Sequence, residues 1–407
     1  MGTHSPGTRD TQDELREFRS RFVIDDAMLY LDGNSLGRLP LGTINAVRSV
    51  VEEEWAHELV LGWDHWIGLG ETIGDRLAPL IGATAGEVVL SDQTSVNLYK
   101  VASAALAGTG RTIIVTDRGN FPSDRYILDA VARSAGGELR FISEDPTLDD
   151  LAAALDASVG VVSLSHVGYR SGVMLDGAAM TAVAHDAGAS MIWDLAHSAG
   201  SVPVALNEWN ADLAVGCTYK YLNGGPGSPG FLYVRSDLLE QLEQPIPGWF
   251  SHADQFAMSE TYEPARSIRR FVVGTPPIIS LVAAGVGIDM TAEAGIDAIR
   301  RKSIELTSLF TEGLTSLRHH GLVQITPADP GSRGSHITVS HPRGYQISQA
   351  LRAQNVIPDF REPDLVRFGF APLYNTYAEV ERALEILESI LTTEAHATFP
   401  EARGRVT

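Results

Sequence analysis

Between residues 86 and 235, short apolar runs alternate with alanine-rich stretches of helical period, and few folds accept that pattern. The strand candidates are 88–90, 112–116, 139–142, 161–165, 191–193, 213–217 and 231–234. Helical stretches at 96–106, 126–135, 148–155 and 178–187 separate several of them. Short, uninterrupted apolar runs suit strands buried on both faces, which a parallel sheet with crossover helices provides. The expectation is an α/β domain with a mostly parallel seven-stranded sheet covered by helices. Ligands of such sheets sit beyond the carboxyl ends of the strands, so the polar residues after each run are the ones to inspect.

The flanking sequence is less regular. A short helix is expected near 14–22, followed by a turn-rich segment, Tyr30-Leu31-Asp32-Gly33-Asn34-Ser35-Leu36-Gly37, ahead of Pro40. Ile44, Val47, Val51 and Trp55 recur at helical spacing, whereas 57–70 has no period and reads as a loop. A long helical pattern over 278–318 leads to a strand at 336–340 and a helix at 345–354. Val380, Leu384, Leu387 and Leu391 form one face of a last helix, with Thr376 and Glu379 spaced for a capping box. The expected division is an N-terminal segment 1–45 packing with the small domain, a large domain 46–290, and a smaller α+β domain 291–407. An excess of 51 acids over 31 Lys+Arg, net charge -20, does not suit nucleic acid or an anionic membrane as partner. A single cysteine, no apolar leader and a glycine-interrupted longest apolar stretch point to a cytoplasmic protein. No HExxH, CxxC or clustered histidine pattern calls for a metal.

The residues with chemical promise lie in 190–230. The run 191–193 ends on Asp194, with His197 three residues on, and the run 213–217 leads through Thr218-Tyr219 to Lys220 and a glycine-rich loop. A carboxylate after one buried strand and a lysine after the next meet the needs of pyridoxal phosphate (PLP). The lysine forms the Schiff base, and the acid keeps the pyridine nitrogen protonated. Taken singly, a lysine such as Lys220 is usually a solvated charge and a histidine such as His197 more often a satisfied core residue, and Asp194 has an alternative as a helix cap. Gln93-Thr94-Ser95 stands between a strand and a helix start, which suits either a phosphate or an ordinary N-cap. Phe121-Pro122-Ser123-Asp124 either offers an aromatic face to a ring or begins the next helix. Cys217, inside an apolar run, reads as a packing residue, which weighs against a cysteine desulfurase.

Longer blocks carry a resemblance. YLDGNSLGRLP, DQTSVNLYK, NFPSDRY, SHVGYRSG, the 193–234 block from WDLAHSAG to GFLYV, GWFSH, FVVGTPPI and IPDFREPDLVRFGFAPLYN span almost the whole chain. Together they resemble kynureninase, a PLP enzyme of the aspartate-aminotransferase fold (fold type I). The resemblance implies that Lys220 is the Schiff-base lysine and Asp194 the partner of the pyridine nitrogen, with His197 beside the ring and Phe121 stacked on it. It implies Thr94, Ser95, Ser123, Asp124 and Tyr219 at the phosphate or ring edge, with Ser165 nearby. Tyr219 is also the candidate for moving a proton at the substrate carbonyl. Trp249 and Thr275 would reach the phosphate region from a neighbouring subunit, which implies a homodimer with shared sites. Arg367 would hold the substrate α-carboxylate, and Ser35 would approach the substrate. His57 and His65 are alternative contacts to the substrate ring, and position 275 is threonine where some relatives carry asparagine. The implied reaction is hydrolysis of L-kynurenine or 3-hydroxykynurenine to anthranilate or 3-hydroxyanthranilate and L-alanine, in tryptophan catabolism. The alternative is a related fold-type-I lyase or aminotransferase acting on a modified kynurenine.

Overall fold

All seven apolar runs become strands of one sheet in the computed structural model, which describes residues 6–401. In chain order they are β1 (Val88–Leu90), β2 (Ile113–Asp117), β3 (Leu139–Ile142), β4 (Val159–Ser165), β5 (Ser190–Asp194), β6 (Leu213–Cys217) and β7 (Gly230–Val234). Their order across the sheet is β1–β7–β6–β5–β4–β2–β3. Four of the pairings, from β6 to β3, are parallel, and β7 runs antiparallel to both its neighbours. Met191 and Trp193 enter the core on one face of the sheet, and Ile192 enters the core on the other. This period of two with burial on both sides explains why the runs do not alternate with polar residues. The crossover helices include α1 (Thr94–Thr109) and α2 (Pro122–Ser134).

The 278–318 pattern is two helices, α3 (Ile278–Ala294) and α4 (Ile296–Leu317), bent by 84° at Gly295, whose φ of 77° is open to glycine. No single helix among the described residues is long and apolar enough to cross a membrane. Beyond α4, an antiparallel sheet takes the order β10–β11–β9–β8 from β8 (Val323–Gln324), β9 (His336–Ser340), β10 (Asp359–Arg361) and β11 (Leu365–Gly369). Phe310, Phe368, Phe370 and Val380 close a separate core behind it. The last helix, α5 (Tyr377–Thr392), carries the expected capping box from Thr376 and Glu379. Leu29–Tyr30 pairs with Val356–Ile357, so the N-terminal segment is stitched to the chain's last third.

Two expectations need correction. Residues 57–70 are helical rather than a loop: wide, π-type turns over Val50–Glu58 run into tight turns at Leu59–Gly62 and a helix at Trp63–Trp66. The indole N–H of Trp66 donates to Glu54 at 2.6 Å and Trp63 packs edge-on against Phe250, so tertiary contacts, not a periodic apolar face, hold this stretch. The helix expected near 14–22 shrinks to Arg16–Arg19, and a further helix precedes it at Pro6–Gln12.

Two glycines let other elements press on the loop after β6. A Cβ on Gly287 of α3 would stand 1.9 Å from the carbonyl oxygen of Leu222, and one on Gly37 would stand 2.4 Å from that of Lys220. Neither contact leaves room for a side chain.

Candidate active site

A cavity of ≈ 330 Å³ opens where β2, β4, β5 and β6 end, as the strand-end rule requires. Ser35, Thr94, Ser95, Phe121, Ser123, Asp124, Ser165, Asp194, His197, Tyr219, Lys220 and Arg367 all line it. Trp249, Thr275, His57 and His65 do not. Trp249 is 44% exposed and packs edge-on against Phe250, and His65 Nε2 lies 3.0 Å from Glu54.

Asp194 and Asp124 sit side by side on the cavity wall, both buried. Asp194 Oδ1 accepts the N–H of Ala196 at 2.8 Å, and the Ser165 hydroxyl lies 3.4 Å from Oδ2. Burial raises both carboxyls, and the neighbouring Lys220 ammonium pulls both back. The Asp194 charge pushes Asp124 higher still, so of the two Asp124 is the carboxyl that takes up a proton more readily. His197 is buried, and that burial, followed by the Lys220 charge, holds its imidazole well below the usual range. It is therefore a neutral flat ring at neutral pH, with the His336 ring 5.5 Å away. The Tyr219 hydroxyl is raised by the adjacent Cys217 thiol and by burial, which keeps it a proton donor.

The opposite wall comes from the antiparallel sheet. Arg367 on β11 is 1% exposed as a side chain. Its Nε donates to Asp359 Oδ2 at 2.7 Å, its Nη2 to the same oxygen and to Ser35 Oγ (3.3 Å), and its Nη1 to the Tyr169 carbonyl. Asp359 thus occupies the Nε edge, and of the five N–H groups one, on Nη1, is left for a ligand carboxylate.

The wall residues suit PLP. Lys220 is the single amine among them, and the buried Asp194 beside it needs a cationic partner, which a protonated pyridine nitrogen supplies. Thr94 and Ser95 open a sixteen-residue helix with no acid in its first turn, so free N–H groups and the positive end of the dipole face the cavity. The buried His197 Nδ1 has no partner within the described residues.

Sequence reasoning missed Asn34, Tyr169, Ala196, Ser228, Gly230 and Arg361, which also line the cavity together with Gln93 of the candidate phosphate segment. Tyr169 and Arg361 fall inside two of the quoted blocks, SHVGYRSG and DFREP, but their neighbours across the cavity come from distant parts of the chain. Cys217 is buried at the end of β6, in keeping with a packing role.

Comparison with known proteins adds to this geometry. Residues 299–387 match the family model of the kynureninase C-terminal domain. A protein of Pseudomonas fluorescens named kynureninase is 46% identical over 98% of both chains. One from Burkholderia pseudomallei strain K96243 with the same name is 45% identical over 95% of this chain and 94% of its own. Among solved structures, the apo cysteine desulfurase of Thermococcus onnurineus NA1 superposes with a TM-score of 0.80 at 22% identity, covering 97% of this chain and 100% of its own. A variant of the lyase C-DES with glycine covalently linked to its PLP cofactor gives 0.80 at 19% identity, covering 91% and 98%. At these identities the structural likeness concerns the fold, α/β of PLP type I.

Proposed function

The chain belongs to the kynureninase family, and from that premise we propose how its residues divide the hydrolysis of a kynurenine to an anthranilate and L-alanine. The enzyme is a PLP-dependent hydrolase of carbon–carbon bonds. When bound, PLP withdraws electrons from the substrate α-carbon, which makes the bond between Cβ and Cγ breakable.

Lys220 Nζ holds the cofactor's reactive carbon between turnovers and, once released, takes the proton from the substrate Cα. Asp194 would keep a negative charge at the ring nitrogen, helped by the Ala196 N–H and the Ser165 hydroxyl. His197 and Phe121 offer flat faces to the ring, and the Phe121 side chain is braced by the edge of Tyr169 at 5.1 Å. Thr94, Ser95 and Ser123 receive the phosphate through hydroxyl and backbone N–H groups. Tyr219 stays protonated at neutral pH, so it can give a proton to the substrate's γ-carbonyl oxygen as water adds there. Arg367 fixes the α-carboxylate through its remaining Nη1 N–H and its charge, with Ser35 beside it.

The supporting observation is that Lys220, Asp194 and Arg367 converge on one cavity in a chain 45–46% identical to kynureninases over nearly its full length. The protein also works as a homodimer in this reading. Trp55 and Ile279 share an apolar surface pocket, and Leu59, Val60, Leu61, Phe256 and Met258 are further exposed apolar side chains that a partner would cover. A partner seated there brings its Trp249 and Thr275 segments toward the cavity. The units are 1–45, 46–290 and 291–407, the first packing with the last. The test is release of fluorescent anthranilate, with L-kynurenine and 3-hydroxykynurenine assayed side by side. Turnover of either supports the reading, and the ratio of kcat/KM values names the preferred substrate. A PLP-loaded protein that turns over neither refutes it.

A further inference from the structure

The strand pairing that positions Arg367 also positions a second guanidinium. Asp359 and Arg361 are two residues apart on β10 and so share a face of the sheet, and Asp359 lies directly opposite Arg367 on β11. One carboxylate oxygen, Asp359 Oδ2, takes the Nε of Arg367 at 2.7 Å and the Nε of Arg361 at 2.9 Å. The consequences for the two arginines differ. Arg367 spends further N–H groups on Tyr169 and Ser35, whereas the Nη1 and Nη2 groups of Arg361 have no acceptor among the described residues. The Arg361 side chain is 31% exposed and lines the same cavity. Two guanidiniums share one carboxylate, so when the nearby Asp32 is protonated the wall carries one net positive charge, which a single carboxylate ligand cancels.

We propose that Arg361 is a second arm of the substrate carboxylate clamp, its terminal N–H groups taking one oxygen of the ligand while Arg367 takes the other. The proposal rests on the reading that this wall receives the α-carboxylate. Asp32 is the remaining carboxyl near the pair. Burial, and then the charge of Asp359, push it up to about 6, and an arriving anion raises it further. Asp32 therefore yields to the ligand by taking up a proton rather than competing for the guanidiniums.

The experiment titrates PLP-loaded protein with L-alanine and with L-alaninamide, following the cofactor's visible absorption, in wild type, Arg361→Gln, Arg361→Lys and Arg367→Gln. Circular dichroism confirms that each variant is folded. Arg361→Gln should weaken L-alanine by about 10- to 100-fold, the weight of one charge-assisted hydrogen bond, and leave L-alaninamide unchanged. Arg361→Lys should recover part of the loss, and KM for L-kynurenine should rise while kcat holds within a few-fold. Arg361→Gln made in the Arg367→Gln background should lower kcat/KM by at least about threefold more, because each arm touches the ligand itself. No further loss in that background would make Arg361 a support for Arg367 and overturn the clamp. Unchanged L-alanine affinity in Arg361→Gln beside a large loss in Arg367→Gln would also overturn it and leave the Arg367 reading intact. Unchanged affinity in both variants would overturn the carboxylate wall altogether.

Discussion

Replacing Asp359 with Asn tests the charge economy of the substrate wall most directly. The Asp359 and Arg367 side chains are 2% and 1% exposed, so the pair has almost no access to water. The substitution keeps the shape but removes the anion on which both Arg367 and Arg361 rest. Stranding one member of a buried ion pair costs about 3–5 kcal/mol. Asp32 offsets a part: losing the Asp359 charge lowers its carboxyl, so it ionises more readily near the guanidiniums. Unfolding entropy of about 2.1 cal/mol/K per residue over 407 residues is about 0.85 kcal/mol/K, so the full cost corresponds to a fall in Tm of about 4–6 °C. The assay is differential scanning calorimetry of the PLP-loaded variant with and without saturating L-alanine. Ligand should raise the Tm of the variant more than that of wild type, because the alanine carboxylate replaces part of the lost countercharge. A variant melting within 1 °C of wild type, with the same ligand-induced increment, would refute the reasoning.

Three further outcomes follow from the geometry. Lys220→Ala should fold, judged by circular dichroism, yet give no absorption band that survives borohydride treatment and dialysis; a retained band with full turnover would remove Lys220 from its role. Asp32→Asn should stabilise the protein at alkaline pH. The folded carboxyl is raised to about 6, so its favourable contribution is complete below about 4 and is lost as pH rises through about 6. The gain in Tm over wild type should thus be larger at pH 8 than at pH 5, and an equal or opposite difference would count against the burial of Asp32. Gly287→Ala drives a methyl group into the Leu222 carbonyl, an overpacking cost of about 1–3 kcal/mol. It should also loosen PLP by shifting the Lys220 loop, measurable as faster cofactor loss on gel filtration; wild-type retention and Tm would show that α3 does not bear on that loop.

The sheet was legible because its strands are buried on both faces, which writes an uninterrupted apolar run into the sequence at each one. Lys220, Asp194 and Thr94 were legible for a related reason: each stands just after a strand or at the start of the next helix, where chain position predicts cavity position. Arg361 was not, because its importance comes from a register, Asp359 opposite Arg367, that no local pattern encodes. Tyr169 was hidden likewise, since its two partners, Phe121 and Arg367, come from a different strand end and a different sheet. Residues 57–70 misled because wide and tight turns and tryptophan packing replace the 3.6-residue period on which helix reading depends.

Tyr169 bears on how the two halves of the site could act together. Its ring braces Phe121, on the wall built by the parallel sheet, and its carbonyl accepts from Arg367, on the wall built by the antiparallel sheet. The loop carrying it is closed by a bridge between Val167 and Met174 and tied to Arg333, just ahead of β9, through Val173. Under the proposed reading, a carboxylate held at Arg367 is thereby linked through Tyr169 to Phe121, the aromatic assigned to the cofactor ring. Substrate orientation and ring position are then set by one loop rather than by two independent elements. The link also accounts for a buried arginine giving an N–H to a backbone carbonyl: that bond ties the loop to the antiparallel sheet, and the second Nη1 N–H stays available to a carboxylate.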